Sequence, residues 1–228
     1  MVNGYSLDIS KLRYSRVLED FSSSLHPEVI AKAEAYKHPR DKLRSLTAAI
    51  LLRWAIHRDF GLYYSGPFPC SKHGKPYLPD TGIEFNVSHG RNRIAVATAG
   101  HPVGIDVEYR RTNKLHVAKR FFSEPEIASL KHHGDPDAHF TTLWCIKESF
   151  LKYTGKGLTR PLSTFAVEQN NERYAISENG DTKADICIQF MYDKPDYFYA
   201  ICHDSSEAFS RIQPIAYDVL LNYQEKTS

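Results

Sequence analysis

Little in this sequence leans strongly one way. Lys and Arg total 29 against 27 Asp and Glu, a net charge of +2. No global field therefore draws the chain to polyanions, nucleic acid included, and any grip on phosphates or acidic partners must come from local clusters. Cysteine is sparse. Cys70, Cys145, Cys187 and Cys202 lie far apart with no CxxC pair, which argues against a disulfide framework and fits small thiols in a reduced interior. No apolar run approaches membrane-spanning length, and the first six residues lack the basic start and apolar run of a secretory signal. The expectation is a cytoplasmic protein without a membrane segment. Low-complexity tracts are missing, and only about the last six residues read as frayed. The common nucleotide loops are missing as well: there is no GxGxxG, and Gly155-Lys156-Gly157 is no P-loop. Ser88, His89 and Asp106 invite a hydrolase triad, but no GxSxG elbow surrounds the serine. His132, His133 and His139 lack zinc spacing and read as a solvated loop.

What is there is an ordinary globular composition, 42% hydrophobic and 25% charged, with length enough for one large domain or two small ones. Residues 2–7 read as an edge strand. Pro27 opens a helix to about Lys37, and His38-Pro39-Arg40-Asp41 is a break. A long helix follows, with Leu43, Leu46, Ile50, Leu51, Trp54 and Ile56 on its apolar side and Arg44, Arg53 and Arg58 around its polar side, stopping at Gly61. A turn-rich stretch spans 62–82. Residues 83–88 alternate cleanly like a strand, 94–98 follow a polar turn as a second strand candidate, and Val103 to Glu108 would complete a meander of three. The second half repeats the rhythm. It has a basic helix over 114–122, a capping box at Ser123-Glu124-Pro125-Glu126 and a long helix opened by Asp135-Pro136-Asp137. Strands are expected near 164–168, 184–191, 197–202 and 212–217. Helices followed by strands, twice over, predict an α+β architecture of two similar halves meeting near residues 100–105.

Two stretches carry chemistry. In Val103-Gly104-Ile105-Asp106-Val107-Glu108 the two acids are two apart, so a strand projects them from one face. Burying them among Val and Ile is costly unless a cation or hydrogen bonds compensate. In Trp144-Cys145-Ile146-Lys147-Glu148-Ser149-Phe150-Leu151-Lys152 a helix puts Trp144, Glu148 and Lys152 on one face. If that face meets the strand, three carboxylates and an ammonium converge. Asp106, Glu108 and Glu148 match the all-oxygen inventory of Mg2+, a hard cation bound through carboxylates and substrate phosphates. The bland alternatives are a solvated strand end and a surface Glu148–Lys152 pair contributing roughly 0.2–0.5 kcal/mol. The segment 110–122, with Arg110, Arg111, Lys114, Lys119, Arg120, Phe121 and Phe122, is either a solvated face over a core or a dock for an acidic partner.

Together these segments resemble the signature of the Sfp-type 4'-phosphopantetheinyl transferases: an apolar-Gly-apolar-Asp strand, then about forty residues later Trp-x-x-Lys-Glu-Ser/Ala-x-x-Lys. Gly74-Lys75-Pro76, Phe85-Asn86-Val87-Ser88-His89 and Gly155-Lys156-Gly157-Leu158 also look like family elements in the expected order. The resemblance implies two similar α/β halves in pseudo-twofold arrangement with a cleft between them for coenzyme A. These are residues 1–102, bearing the nucleotide contacts, and 103–228, bearing the metal, the catalytic residues and the carrier dock. It implies that Asp106, Glu108 and Glu148 hold Mg2+ on the pyrophosphate. By the same match Lys75 and Pro76 lie by the adenine, Ser88 and His89 reach the phosphates, and Lys32 and Arg44 face the 3'-phosphate, with Lys147 and Lys152 also on the coenzyme. Where the family often has a second lysine before Lys32 this chain has Val29, which implies a weaker or differently built 3'-phosphate grip.

The implied reaction is attack of a carrier-protein serine on the β-phosphate of coenzyme A, releasing adenosine 3',5'-bisphosphate. Glu148 is the candidate base and a metal-bound hydroxide its competitor, with Lys152 on the leaving phosphate. The partner would be an apo acyl or peptidyl carrier protein docking through 110–122, and a two-half chain would suffice as a monomer. The three carboxylates alone would equally permit a Mg2+-dependent phosphodiesterase acting on a nucleotide-type substrate. A non-catalytic coenzyme A or carrier-binding module is the third alternative.

Overall fold

The computed structural model describes residues 1–157, 160–171, 173–193 and 196–224. Leu158, and the end beyond Gln224 that holds most of the expected fraying, fall outside them. Proline sets several helix starts, because at the first helical position its missing N–H is one that has no intrahelical partner anyway. The helices are α1 (Tyr14–Phe21), α2 (Pro27–Glu34), α3 (Pro39–Phe60), α4 (Leu115–Phe121), α5 (Glu124–His132), α6 (Pro136–Thr154) and α7 (Tyr217–Gln224). Pro27, Pro39 and Pro136 each stand at such a start, so the break expected at His38–Asp41 is the opening of α3 itself. Both long helices stop on a glycine in the left-handed region, Gly61 at φ 68° and Gly155 at φ 66°, which no side chain obstructs. The capping box forms: the Ser123 N–H donates to the Glu126 carboxylate at 2.8 Å.

The strands are β1 (Val2–Asp8), β2 (Glu84–Gly90), β3 (Arg93–Ala99), β4 (Val103–Tyr109), β5 (Ala166–Asn170), β6 (Arg173–Glu178), β7 (Asp181–Thr182), β8 (Ile186–Asp193), β9 (Tyr197–Asp204) and β10 (Phe209–Ile215). They form a four-stranded sheet, β10-β1-β3-β2, and a larger one, β4-β9-β8-β6-β5, with β7 on β6. Two expectations need correcting. β1 is not an edge: β10 pairs with it in parallel, and α7 packs into the same core through Leu220. The first sheet therefore draws on both ends of the chain. Nor do β2, β3 and β4 form a meander. β4 leaves after the turn at 100–102 and pairs antiparallel with β9 across its whole length.

Side chains of β2 replace the missing ladder. The Ile105 N–H donates to Asn86 Oδ1 at 2.9 Å and the Val107 N–H to Ser88 Oγ at 3.3 Å, so the buried backbone of β4 stays satisfied. Two glycines allow the close approach. A Cβ on Gly90 would lie 2.5 Å from the Val107 carbonyl, and one on Gly104 would lie 2.0 Å from the Ser149 carbonyl of α6. Each sheet carries a long helix on one face, α3 on the first and α6 on the second. A third core, in which Ala95 and Ala97 of β3 meet Ile105, Val107, Tyr199 and Ile201, fuses the two sheets. The architecture is α+β, with β4 at the seam.

Candidate active site

The seam collects the predicted residues because three elements converge there. β2 contributes Ser88, β4 contributes Asp106 and Glu108, and α6, seated on Gly104, contributes Glu148 and Lys152. Asp106 is buried. Its Oδ1 accepts from Ser88 Oγ and from Lys152 Nζ, both at 2.7 Å. Lys152 Nζ also donates to Ser88 Oγ at 2.9 Å and to the Ile105 carbonyl at 3.1 Å, which spends all three of its protons. No imidazole stands between Ser88 and Asp106, so the order a hydrolase triad requires is broken. The second oxygen, Asp106 Oδ2, is buried and, among the described residues, has no partner. An unmet carboxylate oxygen in a low-dielectric interior is costly.

Around this orphan sit the other acids. Burial lifts Glu108's carboxyl above the usual range; the Arg111 hydrogen bond opposes this and the charge of Asp106 adds to it. Glu148 is half-buried and shifted upward by burial and then by Asp106, with Lys152 and Arg111 pulling the other way. Arg111 clamps Glu108 with two bonds of 2.6 and 3.0 Å and lies over the Trp144 ring. It is a site residue that the sequence reading placed only in the carrier dock. Asn86, which the sequence shows only as part of the 85–89 segment, is the carboxamide that registers β4. The donor set is all oxygen, with one buried acceptor unmet, and in chemistry it suits a hard dication. Among the described residues, no three carboxylate, imidazole or thiol side chains are grouped around one point. Glu108 is meanwhile held by Arg111.

From Lys152 the cleft runs outward. A cavity of about 200 Å3 is lined by Gly74, Lys75, Pro76, Asn86, Lys152 and Gly155. A groove of about 220 Å3 shares Pro76 and continues past Val87, Phe68, Tyr36 and Lys32. Gly74-Lys75-Pro76 is presented by a small hairpin, the Ser71 N–H donating to the Lys75 carbonyl and Tyr77 N–H to that of Pro69. Lys75 Nζ reaches the Val103 carbonyl at 3.3 Å and Glu84 at 3.6 Å, while burial pulls its pKa down. Lys32 is exposed in the last turn of α2. Arg44 is held by the Arg91 carbonyl and Asp41. His89 is exposed next to Ser88; local desolvation and the charges of Arg44 and Lys152 lower its pKa, so it is largely neutral at pH 7 and can donate from one nitrogen.

Lys147 is not in this group. It is fully buried on the far side of α6, where its ammonium meets Glu126 at 3.0 Å and the carbonyls of Leu162 and Phe165 at 2.8 and 2.6 Å. A coenzyme-binding role does not fit that placement; the side chain ties the 162–165 turn and α5 to α6. His139, expected in a solvated loop with His132 and His133, lies within α6, buried and stacked on His133 at 4.4 Å.

Comparison with known proteins agrees with this arrangement. The sequence model of the 4'-phosphopantetheinyl transferase superfamily matches residues 102–202. The chain is 33% identical over 207 residues to the 4'-phosphopantetheinyl transferase Sfp of Bacillus subtilis, covering 89% of this chain and 92% of that one. It is 30% identical to the transferase psf-1 of Bacillus pumilus, over 84% of each chain. A putative 4'-phosphopantetheinyl transferase of Synechocystis is 33% identical, over 73% of this chain and 72% of that one. The holo-[acyl-carrier-protein] synthase from Neisseria meningitidis superposes with a TM-score of 0.38 at 13% identity, over 44% of this chain and 94% of that one. With 33% identity to a relative covered over 92% of its length, and with Asp106, Glu108, Glu148 and Lys152 of the signature at one seam, the chain belongs to the 4'-phosphopantetheinyl transferases.

Proposed function

We propose that the protein transfers the 4'-phosphopantetheine group of coenzyme A to a serine hydroxyl of an apo acyl or peptidyl carrier protein. The observation that carries the proposal is Asp106: a buried carboxylate held by Lys152, which lines the cleft, with one oxygen on Ser88 and Lys152 and the other unmet among the described residues. Coenzyme A would lie along the cleft, its nucleotide beside Lys75 and Pro76, with Lys32 and Arg44 as the cations within reach of a 3'-phosphate. Asp106, Glu108 and Glu148 would hold Mg2+, which when bound supplies positive charge to offset that of the pyrophosphate.

The remaining work falls to side chains of this chain. Lys152 sits where a departing phosphate needs a cation, and Ser88 and His89 offer hydrogen bonds to phosphate oxygens. Glu148, with its pKa shifted upward by burial and Asp106, is the base. The carrier serine oxygen bonds to the β-phosphorus as its proton passes to Glu148, and the bond to the bridging oxygen of the α-phosphate breaks, releasing adenosine 3',5'-bisphosphate. Carrier proteins are acidic. The exposed Lys119 and Arg120 of α4, beside the exposed Leu115, offer a basic and apolar surface for docking one.

The test is mass spectrometry of an apo carrier protein incubated with the protein, coenzyme A and Mg2+. The expected result is a carrier heavier by one phosphopantetheine. Coenzyme A cleaved with the carrier unmodified would instead establish the phosphodiesterase.

A further inference from the structure

A second cavity lies away from Lys152 and Asp106. About 540 Å3 in volume, it opens between α1, α3, the 63–65 segment and α7, within the roughly 300–1,000 Å3 range of small-molecule sites. Its walls are Phe21, Leu25 and Ile50 on one side and Tyr63, Tyr64 and Tyr223 on the other. At its base lies Arg53, only 6% exposed, although the sequence pattern puts this residue on the polar side of α3.

Arg53 is an unusual buried charge. Its terminal nitrogens donate to the carbonyls of Ala49, Ser65 and Gly66, its plane lies over Phe68, and among the described residues no carboxylate pairs with it. Among the described residues the Nε–H has no acceptor. A guanidinium held in place by neutral carbonyls and left without a counter-ion is the configuration a protein maintains at cost. Burial lowers its pKa to about 10, so it stays charged at neutral pH. The residue also borders the groove beside Lys32. The groups that couple to its charge, however, are Tyr64 and Tyr223, and both belong to the larger cavity.

We infer that this cavity is a binding site for a small carboxylic acid with an aromatic or branched apolar body, its carboxylate on Arg53 and its body among the tyrosines, Leu25 and Ile50. A single charge is specified because Arg53 is the one cation among the lining residues; a phosphate dianion would be left half compensated. Three tyrosines favour an aromatic body, since ring contacts add to area burial. The cavity shares Arg53 with the groove beside Lys32 but none of its other lining residues, and the assignment does not depend on the transferase reading.

The probe pair is 2-naphthylacetate and its neutral analogue 2-naphthylacetamide, titrated calorimetrically into the full-length protein saturated with coenzyme A. The expected outcome is that the acid binds and the amide binds about ten-fold or more weakly, the loss expected for a charged contact. Arg53→Gln should erase that difference. Ser65→Trp, placed at the exposed rim where it fills the cavity without touching the core, should abolish binding of both with an unchanged melting temperature. If Arg53→Gln fails to fold, the acid–amide comparison on the unaltered protein and the Ser65→Trp variant decide. Equal binding of acid and amide, no binding of the acid, or binding untouched by Ser65→Trp would each overturn the assignment.

Discussion

Helix α6 carries two lysine–carboxylate pairs, five residues apart, and they behave as opposites. Behind the helix, Lys147 and Glu126 form a closed account: three donors meet three acceptors, and both oxygens of Glu126 are used, by Lys147 and the Val167 N–H on one side and by Ser123 on the other. In front of it, Lys152 is saturated, yet Asp106 keeps one oxygen unmet. Complete satisfaction is what a structural pair requires, since a buried charge without partners destabilises the fold. An acceptor left open in a cleft points to a ligand instead. The same two residue types, in one helix, are thus sorted by whether their hydrogen bonding is complete.

That contrast can be broken in several places. Lys147→Met should cost about 3–5 kcal/mol of stability in urea denaturation by stranding Glu126. The double change with Glu126→Leu should recover much of it. A Lys147→Met protein of normal stability that no longer binds coenzyme A would put Lys147 back at the ligand. Asp106→Asn should do the reverse. We expect carrier modification to fall by about a hundred-fold or more, with stability within ~1 kcal/mol of the parent because an incompletely satisfied charge has been removed. Equal damage to stability and activity would erase the distinction between the two pairs.

A third test concerns His139, whose pKa is pushed down to about 4 by burial and by His133. The unfolded chain then binds the extra proton first, so stability is present above the unfolded value of about 6.5 and is lost as pH falls toward 4, by about 2–3 kcal/mol. His139→Gln should flatten this slope in denaturation midpoints measured from pH 7 to pH 4. An unaltered slope would mean that another group carries it. The smallest effect is expected at the surface. Lys119→Glu with Arg120→Glu should raise KM for the carrier several-fold while leaving that for coenzyme A unchanged, and an unchanged carrier KM would return α4 to an ordinary solvated face.

Local signals made much of this legible in advance. The 3.6-residue periodicity of α3 and α6, the proline start of α6, the glycine stop of α3 and the alternation of β2 are properties of neighbouring residues, and they appear where expected. The periods also place Asp106 with Glu108 on one strand face and Glu148 with Lys152 on one helix face; that Lys152 meets Asp106 and Ser88 follows from the packing of α6 on β4. What could not be read were partnerships across long separations. Glu126 announced itself as a capping box, but nothing in the sequence says that it also neutralises Lys147, twenty-one positions later. Arg53 sits at a helical angle shared with polar residues, and only the return of α7 and the 63–65 segment buries it. β4 looked like a third meander strand because short connections usually join neighbours. The competing pull was β9, offering seven paired residues and an apolar face.

The pairing of β1 with β10 bears on how the molecule is made. Residues 103–204 contain every strand of the second sheet, so that half can close soon after it leaves the ribosome. The first sheet is incomplete until the segment 209–215 emerges some two hundred residues after its partner, a very non-local pairing of the kind that slows folding. The wall of the cleft that bears Lys75 therefore leans on a sheet whose outer pairing joins the two ends of the described chain, whereas the carboxylates of β4 stand on a sheet closed within residues 103–204.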